Sequence, residues 1–329
     1  MLSPYTGKEM KVVYEPRTWN FRGEEYEYIH TAYVCEDTQE QFTTNESDDA
    51  GFLQVTNQYR AKYGIPFTDE IVATRARYGV SAAKMSAILG IGTNQWRLYE
   101  SGEVPSVSNG RMIRSIMNPK VFLDLVESAR QLLAEKEYNA ITAKVKQVIA
   151  QSDKFHMDAY ECRRLFSVAR GADNGYSPIS LERVKAVMLT VLQECNEVFC
   201  TKMNKLLFYI DFLSYRQRGI AMTGLSFRAI DFGPVPDRWE KLYGEFDEIR
   251  QELRPMGEYE GNVLLSDVAP DDAILNDSEK EIIHAVCTRF MGYSSNRISA
   301  ISHDEPAWIK YHGAHSRIPF TEAFELKAL

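Results

Sequence analysis

The chain has 329 residues, 44% apolar and 26% charged, which is material for two or three domains with buried cores. Its net charge of −8 excludes a protein that coats nucleic acid over its whole surface and leaves room only for a local basic reader. No apolar run is long enough to span a bilayer, the N-terminus lacks a signal-peptide pattern, and Cys35, Cys162, Cys195, Cys200 and Cys287 lie at irregular spacings. A cytoplasmic protein without a disulfide framework or a membrane partner is therefore expected.

Residues 1–65 read as a small β-rich module. Residues 10–14 and 26–33 are rich in β-branched and aromatic side chains, and turn signals at 5–7 and 20–23 interrupt them. From residue 51 the pattern becomes helical and stays so to about 169. Within it, residues 66–119 hold six basic side chains against four acidic ones, a mildly basic island in an acidic chain. Thr68 is expected to cap a first helix that Gly79 ends, and Ser81 a second at 82–89 with Met85, Ile88 and Leu89 inward. Gly90 to Gly92 supplies a turn, and Thr93 is expected to cap a third helix at 94–101. A fourth helix opens near Pro105 and Val107 and carries Met112, Ile113 and Ile116.

A short helix, a glycine turn and a second short helix make the unit that reads DNA, with the N-terminal residues of the second helix on base edges. Those residues are Thr93, Asn94, Gln95 and Arg97. Asn or Gln pairs bidentately with adenine and Arg with guanine. Trp96 and Tyr99 are expected in the core. Arg75, Arg77, Ser81 and Lys84 are candidates for phosphate contacts, which add affinity without sequence information.

The order Arg75, Gly79 to Gly90, Asn94, Tyr99 to Gly102, Pro105 resembles the Xre/Cro-type helix-turn-helix, in the version found in MqsA-like antitoxins. The resemblance implies that Asn94 reads bases. Leu98 stands where those relatives place an Arg, and Arg97 comes one residue earlier. One residue rotates a side chain about 100° round a helix, so the relatives' operator sequence does not carry over. The resemblance extends to the N-terminus, where MqsA-like antitoxins hold one zinc with two C-x-x-C pairs. Ser3 and Thr6 stand in place of the first pair, Cys35 and Thr38 in place of the second. One thiol of four ligands predicts a metal-free relative, because hydroxyls stay protonated and bind zinc poorly.

Residues 119–150 continue with apolar positions at three- and four-residue steps (Val121, Leu125, Val126, Leu132, Leu133, Ile141, Val145, Val148, Ile149), and are expected as one or two helices between domains. Residues 170–178 concentrate Gly, Asn, Asp, Ser and Pro and mark a boundary. A helical stretch over 181–218 ends at Gly219. An aromatic-rich irregular portion, an acidic loop at 267–277, a helix at about 278–291 and an irregular tail follow. Leu206, Ile210 and Leu213 read as core, and Gly233 to Pro236 as a rigid turn positioning Phe232, Arg238 and Trp239.

Three segments of this part, 201–213, 227–236 and 301–308, resemble the Panacea domain of SocA-like antitoxins over residues 178–325. The resemblance implies neutralisation of a toxin encoded beside the antitoxin, and in one branch delivery of a client to a protease. Lys202, Tyr209, Asp231, Arg238, Trp239 and Trp308 are the candidate toxin-binding residues, since aromatics and Arg are favoured at hot spots.

Phosphate-loop, dinucleotide, zincin and nucleophile-elbow motifs are absent from the sequence. His303 has no Cys or Ser partner at motif spacing and is expected as a buried, hydrogen-bonded side chain. His312 and His315 have metal-ligand spacing but no third ligand nearby in sequence, and are expected in an exposed tail. No catalytic residue, cofactor or metal is therefore expected.

The expected architecture is mainly α with a small β-rich N-terminal module, a helix-turn-helix bundle and a helical C-terminal domain with minor strands. The divisions are 1–65, 66–118, a helical connector at 119–175, and 176–329. The expected function is that of an antitoxin: it neutralises a cognate toxin by direct binding and represses its own operon as a homodimer on double-stranded operator DNA. The alternatives are a transcriptional regulator or protease adaptor that binds another protein, and an enzyme using His303.

Overall fold

Alternating aromatic and charged residues in the first forty positions fold into a long antiparallel hairpin, β1 (Lys11–Phe21) and β2 (Glu24–Val34), with Lys11 opposite Val34 and Phe21 opposite Glu24. Arg22 and Gly23 form the turn, both with positive φ, the two-residue type whose twist matches that of the strands. β1 runs well beyond residue 14 because it is an edge strand, where Pro16 costs no ladder bond on a second side. β3 (Gln41–Phe42) pairs with the other edge of β2. The computed structural model describes residues 1–151, 162–256 and 259–329. The helical reading of 152–161 lies outside the described residues.

The fold is mainly α with small antiparallel sheets of two or three strands. Two compact units divide it, one formed by residues 56–161 and the other by 1–55 together with 162–329. Helix α1 (Asn45–Tyr63) contributes to both.

In the unit of residues 56–161, α2 (Thr68–Tyr78), α3 (Ala82–Ile88), α4 (Gln95–Glu100), α5 (Val107–Ile116), α6 (Pro119–Ser128) and α7 (Glu135–Ala150) follow one another. Two caps differ from expectation. Phe67, not Thr68, is the N-cap residue of α2, and the Glu70 carboxylate accepts from the Phe67 N–H at 2.8 Å. Asn94 rather than Thr93 precedes α4, with no side-chain cap. Ser81 does cap α3, accepting from Lys84 N–H at 3.3 Å. One core joins Ile71, Tyr78, Met85, Trp96 and Ile113 to Phe122, Val126, Ile141, Val145 and Val148. Tyr78 stacks on Phe122 with centroids 4.2 Å apart. The helices after residue 119 thus share the hydrophobic core of the helices before it.

In the other unit, the helical stretch expected over 181–218 is two helices, α8 (Leu181–Cys195) and α9 (Cys200–Arg218), broken at Asn196 with φ +60 and the short β4 (Val198–Phe199). Every residue of α9 from Lys202 to Tyr215 is buried. A helix enclosed on all sides needs partners all round, and it gets them from aromatics. Phe208 and Phe212 meet Phe227, Phe212 stacks on Phe320, and Tyr209 stacks on Phe290. The expected rigid turn at 233–236 is instead a strand, β6 (Gly233–Pro236), paired with β5 (Phe227–Ile230). Its partner lies on one side only, which accommodates two prolines. α10 (Trp239–Leu242) follows, and β7 (Arg250–Met256) and β8 (Tyr259–Leu265) complete a sheet with β4.

The tail is not irregular. α11 (Asp277–Phe290), α12 (Ser295–His303) and α13 (Pro306–Ile309) lead into a segment that returns Phe320 and Phe324 to the core. Buried Glu305 accepts from Tyr209 Oη at 3.1 Å and from the N–H groups of Lys327 and Ala328 at 2.8 and 3.1 Å, which fixes the C-terminal residues. Among the described residues, no helix is long and apolar enough to cross a membrane.

Candidate functional site

Buried Trp96 and Tyr99 anchor α4 from one side, and the Trp96 N–H donates to Ser86 Oγ at 3.1 Å. With that face held, Thr93, Asn94, Arg97 and Leu98 are exposed. Gln95 is half-buried and donates to Glu103 at 3.0 Å. The side chains of Asn94 and Arg97 make no hydrogen bond or ion pair within the described residues.

The four expected phosphate-binding residues differ in their engagement. Arg75 donates to Glu100 at 2.5 Å and to the Val80 carbonyl at 3.2 Å, and Glu100 also accepts from Trp96 Nε1 at 2.9 Å. Arg75 therefore braces the helices against each other. Arg77 donates to the Met117 carbonyl at 3.2 Å. Ser81 is exposed and occupied with its cap, and Lys84 pairs with Glu137 at 2.8 Å with both side chains partly exposed. Exposed ion pairs of this kind contribute about 0–1 kcal/mol, so Lys84 exchanges partners at little cost.

At the N-terminus, the four positions that stand in place of zinc cysteines come together. Ser3 Oγ donates to Cys35 Sγ at 3.2 Å, and Thr6 Oγ1 lies 3.7 Å from the same sulfur. Donation from Ser3 first, then Thr38 and Thr6, holds the Cys35 thiol down at about 6. Three hydroxyls that keep their protons are donors toward the sulfur rather than metal ligands, and this set does not fit Zn2+.

The six candidate toxin-binding residues are not one surface. Tyr209 is fully buried with its hydroxyl on Glu305, and Lys202 is buried with Nζ on the Met291 carbonyl at 3.1 Å. Both belong to the interior in this structure. Arg238 has φ +64 and donates to the carbonyls of Arg163, Arg164 and Phe166, while Trp239 beside it is half-buried. Asp231 and Trp308 lie together at the tip of the β5–β6 hairpin. Trp308 Nε1 donates to the Ile230 carbonyl at 2.8 Å, and the Trp308 ring lies between His303, on which it stacks at 4.3 Å, and His312, tilted by 31° at 4.1 Å. His303 is half-buried, and among the described residues its Nε2 has no hydrogen-bond partner. Burial lowers its pKa. The expected hydrogen-bonded histidine is thus bonded at most on one side of its ring.

Sequence reasoning missed the third group at His312 and His315. Asp231 Oδ1 lies 3.0 Å from Nε2 of both. The contact crosses more than 80 residues, and no local signal announces it. It also missed the pair of arginines, Arg183 and Arg218, that share buried Glu279.

No curated protein and no solved structure matches the chain. Residues 203–309, from the first turn of α9 to the end of α13, match the family model described as antitoxin SocA-like, Panacea domain. The similarity to this antitoxin-type domain covers those residues, about a third of the chain.

Proposed function

We propose that this protein is an antitoxin whose C-terminal domain binds a cognate toxin encoded next to it and whose helices at 66–118 repress its own operon. The match of residues 203–309 to the antitoxin family model carries the first half of this reading. Binding rather than turnover is the proposed chemistry, with Asp231, Arg238, Trp239 and Trp308 as the candidate contacts that reach the surface.

The second half is supported by the layout of α4. Its buried face is fixed by Trp96 and Tyr99, while Thr93, Asn94 and Arg97 stand exposed, with no partner for the Asn94 or Arg97 side chain among the described residues. Side chains so placed are free to meet base edges. Lys84, Arg77 and the exposed Ser81 are the proposed phosphate contacts, and Arg75 is reassigned to bracing. A homodimer would place two such units on half-sites about one helical turn apart.

The test is to express the neighbouring gene alone and with this chain. Growth arrest by the neighbour, relieved by co-expression and accompanied by co-purification of the two proteins, is the expected result. A neighbour harmless on its own overturns the toxin half. Gel-shift titration of the operon's upstream DNA, with a sharp fall in affinity as salt is raised, tests the operator half separately.

A further inference from the structure

We propose that Asp231, His312 and His315 form a binding site for a first-row divalent metal ion such as Zn2+. One carboxylate oxygen and two imidazole Nε2 atoms converge, each nitrogen 3.0 Å from Asp231 Oδ1, with all three donor atoms within 4.8 Å of one another. Metal–ligand bonds of about 2.0–2.2 Å at tetrahedral angles put donor atoms roughly 3.3–3.5 Å apart. Each imidazole needs to move away from the Asp231 oxygen by only a few tenths of an ångström to admit the ion, and the two nitrogens already lie within 4.8 Å of each other. Two imidazoles and a carboxylate are a donor set that suits Zn2+ and its neighbours in the first row.

The backbone holds these donors in place. Residues 312–314 form a single 3₁₀ turn, in which positions three apart eclipse, so His312 and His315 share one face. His315 takes φ +46, a conformation costly to a non-glycine residue and maintained only where the surroundings enforce it. They do so here. The Ala229 N–H donates to the Ser316 carbonyl at 3.1 Å and the Ile318 N–H to the Phe227 carbonyl at 2.9 Å, which ties the histidine segment to the strand that leads to Asp231. Trp308 orients the rest, packing its ring against His312 at 4.1 Å while its indole N–H grips the carbonyl just before Asp231. Residues that orient ligands in this way contribute to metal affinity without touching the ion.

With three protein donors, a fourth position remains open. It faces solvent, since the Asp231 side chain is 68% exposed and that of His315 53%. A bound ion would pin the hairpin tip to the segment leading to the C-terminus and leave one position for water.

The experiment uses the untagged full-length chain freed of metal with EDTA. Calorimetric titration with Zn2+ is expected to show one saturable equivalent, and Co2+ is expected to give visible bands of a four- or five-coordinate ion without thiolate charge transfer. Asp231→Asn, His312→Gln and His315→Asn should each weaken Zn2+ binding by about tenfold or more, with circular dichroism unchanged. Asparagine is chosen at 315 because it tolerates positive φ. His284→Gln, at an exposed histidine paired with Glu194 on another helix, should bind as the unaltered chain does. The proposal is overturned if the unaltered chain takes up no Zn2+, or if the folded triple variant takes it up with the same stoichiometry and affinity.

Discussion

Lys205 lies in the second turn of α9 with no exposed surface, its Nζ donating to the Pro234 carbonyl at 3.0 Å. Burial alone brings its pKa down to about 7. The unfolded chain holds that proton up to about 10.5 whereas the folded chain releases it near 7. The unfolded state binds more protons across the interval, so Lys205 makes stability rise with pH there, by up to about 1.4 kcal/mol per unit. Lys205→Met should remove this slope, which urea unfolding at a series of pH values between neutrality and 10 will read. A second prediction concerns Asn94. Its exposed, unpartnered side chain predicts that Asn94→Ala leaves the unfolding midpoint unchanged while costing about 1–3 kcal/mol of discrimination between operator and scrambled DNA in competition gel shifts. The two residues differ in legibility. Trp96, Leu206 and Ile210 could be placed in the core from spacing alone. A buried lysine, or an aspartate meeting two histidines from 80 residues away, has no spacing to betray it.

Helix boundaries were readable where a side chain caps its own helix and misread where the cap comes from elsewhere. Ser81 and Gly79 do what their types suggest, capping α3 and closing α2 in the left-handed conformation. Thr68 and Thr93 have the same chemistry but sit one position away from the caps, because Glu70 reaches back to Phe67 and Asn94 takes the junction with α4. Prolines misled in the opposite direction. Pro234 and Pro236 suggest a turn, yet an edge position lets them serve in β6. These readings predict that Ser81→Ala removes the bond to the Lys84 N–H and destabilises the unit of residues 56–161 by about 1 kcal/mol. Thr93→Ala, with no cap to lose, should shift stability by less than roughly 0.5 kcal/mol. Paired denaturation curves for the two variants check the difference, and equal losses would contradict the assigned caps.

At the scale of the whole chain, the N-terminal hairpin belongs to the same compact unit as the C-terminal helices. Tyr14 of β1 meets Phe324 edge-on at 5.4 Å, and the Arg216 guanidinium lies 5.8 Å above the Tyr14 ring. Gln54 of α1 exchanges bonds with the backbone of Ile29 in both directions, at 3.0 and 3.1 Å. The contacts of Tyr14 join segments more than 200 residues apart in sequence, a pairing that a linear reading does not reveal. Gly219 illustrates the limit. As a helix stop after Arg218 it is legible, and its φ of +68 fits that role. Its position directly against the Ala50 carbonyl of α1 is not legible, and there a Cβ would also come within 3.2 Å of Leu53 Cβ and the Gln54 nitrogen. Gly219→Ala therefore meets both a left-handed backbone and a collision with backbone that cannot move aside, at a combined cost of about 2–4 kcal/mol. Hydrogen exchange should locate the damage. Protection is expected to fall together in residues 11–54 and in α8, α9 and α11, while the separate core of Tyr78, Trp96, Phe122 and Val145 keeps its protection. Loss spread evenly over both cores would show that the two units unfold as one.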